Sequence, residues 1–121
     1  MTNQTRASIP RVRFSSIKDA ALGTAYDLTL TFATPAQIRK LNKIYRNIDK
    51  PTDILSFPLS KTEGEIYICP SETRSMAKDF DRTYENFMAF LFIHGCVHLI
   101  GHDHGGTMER IEADIRKRFK I

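Results

Sequence analysis

The feature that most constrains the fold is an apolar stretch that begins near Tyr84. It runs through FMAFLFI (Phe87 to Ile93) and ends in FIHGCVHLIGHDHGG (Phe92 to Gly106). Such a segment predicts a strongly apolar helix that must be buried. The rest of the chain then has to wrap around it. All four histidines, His94, His98, His102 and His104, fall at the end of this helix or just beyond it.

On a helix, His94 and His98 stand one turn apart and point the same way, which suits two imidazoles meeting one cation. A third ligand has to come from outside the helix. Gly101 is placed to end the helix in the left-handed conformation and let the chain reverse. His104 then completes the H-x-x-x-H-x-x-G-x-x-H spacing of a metzincin metal site. His94, His98 and His104 are therefore the expected ligands of one Zn2+ per chain. Three histidines with an open fourth position describe a catalytic zinc, whose bound water has its pKa lowered toward about 7. His102 has three readings: a surface residue, a residue behind the ligands, or a replacement for His104. Asp103 is read either as a partner that orients a ligand imidazole or as a surface turn residue.

A metallopeptidase of this spacing needs Glu immediately after the first histidine as general base. Here that position is Gly95. A phosphodiester depends less on that base, because zinc supplies hydroxide while a cation stabilises the developing negative charge. The segment RKLNKIYRNIDK (Arg39 to Lys50) carries a net +4, which is as much as the whole chain. Arg39, Lys43, Arg46 and Lys50 are the candidate nucleic-acid contacts. Arg46 is the natural catalytic cation, since guanidinium grips phosphate bidentately.

The 121 residues, 41% hydrophobic and 26% charged, describe one ordinary domain spanning 1–121, which needs no metal merely to fold. Cys69 and Cys96 lack Cys-x-x-Cys spacing and read as reduced core residues. The N-terminus has no apolar signal region, and no run approaches the roughly 20 residues that span a bilayer. A cytoplasmic location without membrane contact is expected.

Along the chain, Val12 and Phe14 alternate with arginines, and Leu28, Leu30 and Phe32 with threonines, so both stretches predict half-buried strands. Between them SSIKDAALG predicts a short helix ended by Gly23. Thr34 is an N-cap followed by Pro35, and Ile38, Leu41, Tyr45 and Ile48 mark one apolar helical face. ILSFPL and EIYIC predict two further strands, and SETRSMAKDF a short helix. Gly105-Gly106 predicts a turn and Thr107 the cap of a last helix, with Met108, Ile111, Ile115 and Phe119 on one face.

Two segments, LNKIYRNIDKPTDILSFPL (Leu41 to Leu59) and HGCVHLIGHDH (His94 to His104), together resemble the signatures of the YbeY family of endoribonucleases and rRNA maturation factors. The likeness covers the chain from about Phe32 to the last helix, where MERIE (Met108 to Glu112) also fits. It implies an α/β (α+β) fold with a small mixed four-stranded sheet, about five helices, and a zinc site at the end of a buried helix in a basic cleft. It also implies a zinc-dependent, single-strand-specific endoribonuclease that matures ribosomal RNA, notably the 3′ end of 16S rRNA, and serves ribosome quality control. The implied partners are single-stranded RNA, ribosomal RNA and the small ribosomal subunit, with no DNA. The family's metal ligands fall on His94, His98 and His104, and its functional arginine on Arg46. Where the family often has Gly-Asp, this chain has Gly64-Glu65, which makes Glu65 a candidate for the surroundings of the metal or water. Two other readings remain: an RNA-binding assembly factor with structural zinc, and a metallopeptidase.

Overall fold

The computed structural model describes residues 1–101 and 106–121. The elements in chain order are β1 (Thr2–Asn3), α1 (Phe14–Leu22), β2 (Asp27–Phe32), α2 (Pro35–Arg46), β3 (Ile54–Ser60), β4 (Glu63–Ile68), α3 (Pro70–Asp79), α4 (Tyr84–Leu99) and α5 (Gly106–Phe119). The four strands form one mixed sheet in the order β1-β2-β4-β3. β1 and β4 pair parallel with β2, while β3 runs antiparallel to β4 and forms an edge, with an irregularity between Pro58 and Ser60. This is the α/β architecture expected for the chain.

Helix α4 is the centre of the molecule. From Phe87 to Leu99 every residue is buried except Phe90, His94 and His98, a stripe at four-residue spacing. Met88, Phe92, Ile93, Cys96 and Val97 pack on Leu30, Phe32, Ile66 and Ile68 of the sheet, and Ile17 of α1 with Met108 and Ile115 of α5 close the same core. The opposite face of the sheet is covered by α2, where Ile38 and Leu41 meet Leu55, Phe57 and Tyr67. The sheet thus separates a large apolar layer from a thin one.

Local chemistry sets the helix limits. At Thr34, Oγ1 accepts from the Gln37 amide at 3.2 Å while Gln37 Oε1 accepts from the Thr34 amide at 2.9 Å, a reciprocal cap at the start of α2. Asn47, at φ 57°, stops that helix in the left-handed conformation directly after Arg46. Thr83 Oγ1 caps α4 by accepting from the Asn86 amide at 3.0 Å. Gly101, at φ 77°, adopts the left-handed conformation after α4, as its position predicts.

Three sequence expectations are corrected. The Val12–Phe14 stretch is not a strand: the Phe14 amide returns to the Val12 carbonyl at 2.9 Å and Phe14 opens α1. Its apolar side chains do alternate inward, with the Phe14 ring 5.7 Å from Phe32 and 5.0 Å from Phe92. On that side of β2, Thr2–Asn3 pair with Thr31 and Phe32, and residues 12–14 enter α1 instead of extending the ladder. Second, Thr107 does not cap α5, because the helix already includes Gly106; Gly105 lies outside the described residues. Third, α2 buries Ile38 and Asn42, whereas Tyr45 is 64% exposed. Ile48 lies beyond the helix end.

Candidate metal centre and nucleic-acid interface

The two half-buried histidines of α4 face each other with ring centroids 4.6 Å apart and planes at 81°. They are fixed by what lies behind them. Gly95 lets α4 pack tightly against the sheet: a Cβ there would meet Ile54 Cδ1 at 2.8 Å and Ser56 Oγ at 3.0 Å. Ser56 Oγ donates to the Gly95 carbonyl at 3.4 Å. The glycine between the two histidines therefore has a packing cause. A side chain at position 95 would point into the sheet, so a carboxylate there would not face the histidines.

His94 has a partner that the sequence reading missed. Its Nδ1–H donates to Glu112 Oε1 at 2.8 Å, which leaves Nε2 for a metal. Glu112, 8% exposed, also has Arg116 Nη1 at 3.6 Å from its other oxygen. The signal lay in the last helix: Glu112 falls between Ile111 and Ile115, and a carboxylate against an apolar face needs partners. A second missed residue is Asn42, buried in α2, whose Nδ2 donates to the Lys50 carbonyl at 2.9 Å. The Ile48 amide donates to the Asn42 carbonyl at 3.3 Å, so Asn42 ties down the chain that leaves Arg46.

A cleft of about 580 Å³ opens along the edge strand β3. His94 and His98 of α4 line one side and Tyr45 and Arg46 of α2 the other, with Ser56 and Phe57 of β3 between them. Two helices from opposite faces of the sheet thus place imidazoles and a guanidinium on one opening. The basic segment divides sharply within this frame. Arg39 Nε and Lys43 Nζ lie 2.8 Å and 3.9 Å from the Asp49 carboxylate. The Arg39 hydrogen bond holds Asp49 below the usual carboxylate range. Among the described residues, Arg46 has neither an ion pair nor a hydrogen-bond partner. Lys50 is exposed at the return of the chain.

Glu65 is not brought to the histidines. It alternates with the buried Gly64 and Ile66 that face α4, and its Oε2 accepts from Tyr67 Oη at 3.0 Å. Burial and this hydrogen bond push the Tyr67 phenol up. Cys69 and Cys96 are free and buried, as expected, and burial pushes the Cys96 thiol well up. His102, Asp103 and His104 lie outside the described residues. Among the described residues no group of three His, Cys, Asp or Glu side chains is gathered at metal-binding spacing. The donor set nevertheless fits a metal: two imidazoles one helical turn apart, one oriented by a buried carboxylate, both on an open cleft.

A fold of this topology is matched in known proteins. The family model of endoribonuclease YbeY matches residues 2–120, and the chain belongs to this family. The match takes in the first 30 residues, which the sequence motifs left out. The endoribonuclease YbeY of Aliarcobacter butzleri is 34% identical, with 100% of this chain and 91% of that protein covered. That of Sulfurimonas denitrificans is 38% identical over 81% of this chain and 76% of its own length. The solution structure of TM1509 from Thermotoga maritima superposes with a TM-score of 0.62 at 28% identity, covering 88% of this chain and 78% of that one. Among the described residues no helix is long and apolar enough to cross a membrane.

Proposed function

We propose that the protein is a zinc-dependent, single-strand-specific endoribonuclease of the cytoplasm. Its place is in ribosomal RNA processing, particularly maturation of the 16S 3′ end, and in ribosome quality control. Its partners are single-stranded and ribosomal RNA and the small ribosomal subunit. The names of its relatives support RNA cleavage as the reaction. The observation that carries the reading is the meeting of Arg46, without an ion-pair partner among the described residues, with His94 and His98 on one cleft.

His94 and His98 would hold one zinc ion, with His104 as the third ligand. When bound, zinc lowers the pKa of water and polarises a phosphoryl oxygen. Glu112 keeps the His94 ring in one tautomer and one orientation, which would leave Nε2 available to a metal. Arg46 reaches a phosphate from across the cleft and stabilises charge that builds on its oxygens. Arg39 and Lys43, shared with Asp49, contribute to the field that draws in RNA rather than to the reacting phosphate. Lys50 extends that field.

The test follows a labelled single-stranded RNA incubated with zinc-loaded protein, beside His98→Ala purified identically. Cleavage by the wild type alone supports the nuclease. Tight binding of ribosomal RNA with no cleavage under any metal instead favours the assembly-factor reading.

A further inference from the structure

Tyr45 is a large aromatic side chain that the fold leaves 64% exposed, at the last turn of α2. It is not a loose side chain. Its ring sits 5.0 Å from Phe57 at 55°, and Phe57 in turn meets Tyr67 edge-on at 5.9 Å. This aromatic row is anchored in the thin core on the α2 face of the sheet, and its outer member lines the same cleft as His94, His98 and Arg46. The next residue, Arg46, supplies a guanidinium, and the left-handed Asn47 ends the helix there. A planar ring and a bidentate cation, side by side on a rigid helix end, match the two parts of a nucleotide: a flat base and an anionic phosphate.

We infer that Tyr45, backed by Phe57, is a nucleobase-stacking subsite that holds an unpaired base of the RNA beside the phosphate gripped by Arg46. The subsite rests on the RNA-cleaving reading and deepens it. A base inside a duplex is already stacked on both faces and cannot lie on the Tyr45 ring. The same contact therefore gives selectivity for single strands with little preference for sequence, because every base has a π face. Tyr45 binds and positions substrate; it takes no part in the bond changes.

The experiment uses the full chain and single-stranded RNA oligonucleotides in which 2-aminopurine, and separately an abasic nucleotide, is moved through each position. In the wild type, one position shows quenched 2-aminopurine fluorescence, and removal of the base there weakens binding about tenfold or more. Tyr45→Phe keeps both effects. Tyr45→Leu, which still covers Phe57, loses the quenching, binds about tenfold or more weakly, raises KM with kcat retained, and unfolds at the wild-type temperature. Its salt dependence is unchanged, because no phosphate contact is lost. If the wild type binds and cleaves RNA but Tyr45→Leu matches it in quenching and affinity, or every abasic position costs the same, the subsite is wrong and the nuclease stands. If the wild type binds no single-stranded RNA, both fall together.

Discussion

Helices α4 and α2 flank the same edge strand and supply the two halves of the cleft, yet they are held by different means. α4 is apolar around most of its circumference and is buried on every side but the stripe of Phe90, His94 and His98. Its position follows from packing: Gly95 lets it seat against Ile54, Ser56 and Ile66, and Glu112 reaches in from α5. α2 buries little beyond Ile38 and Asn42 and owes its length to a reciprocal cap at Thr34 and Gln37 and a left-handed stop at Asn47. In the proposed function, the groups that would hold a metal in fixed geometry sit on the packed helix. The groups proposed to meet a long, variable substrate sit on the exposed one, where a side chain can change partners without opening a core.

This contrast can be broken or sharpened in order of expected effect. His98→Ala removes half of the histidine pair proposed to bind zinc, so zinc content measured by atomic absorption falls and RNA cleavage drops to the background of identically prepared material. Arg46→Ala acts on the other wall: zinc stays bound, while cleavage falls by about 10²–10³-fold. Arg46→Lys restores only part of that rate, because an ammonium lacks the fork that engages two oxygens. If Arg46→Ala also released zinc, the two walls would not be separable.

Gly95→Glu tests the packing account of α4. Pressing a carboxylate against Ile54 and Ile66 destabilises the fold by about 3 kcal/mol or more, read by denaturant unfolding, and confers no peptidase activity. Glu112→Gln leaves the fold intact and weakens zinc affinity by about 10–100-fold, read by competition with a chelator. Unchanged affinity would remove Glu112 from the site. The smallest effect is at the far end of α2. Thr34→Ala loses one side of the cap and costs about 1 kcal/mol of stability, with zinc content unaltered.

The order of elements was largely legible before any coordinates. The cap at Thr34, the breaks at Gly23 and Gly101, and the period of each later segment are local signals, carried by residues within one or two turns of each other. Where such signals are short they misled. Val12 and Phe14 alternate like a strand, but two apolar residues in alternation serve equally well for a chain entering a helix. Tyr45 keeps helical register with Ile38, yet the thin core on that face ends before it, so a residue read as buried instead lines a cleft.

By itself the sequence determined which side chains pair along one helix: His94 with His98 is a matter of 3.6 residues per turn, and the +4 segment a matter of counting. What lies across space had no such rule. Glu112 meets His94 because α5 packs beside α4, and Arg46 shares a cleft with both histidines because two helices on opposite faces reach the same sheet edge. Asp49 claims Arg39 and Lys43 and not Arg46, because the chain turns back at Asn47, where Asn42 holds it. Glu65, next to Gly64 in sequence, is carried to the other face by the two-residue period of its strand. Contacts between distant segments depend on how whole elements pack, so only the tertiary structure decided them.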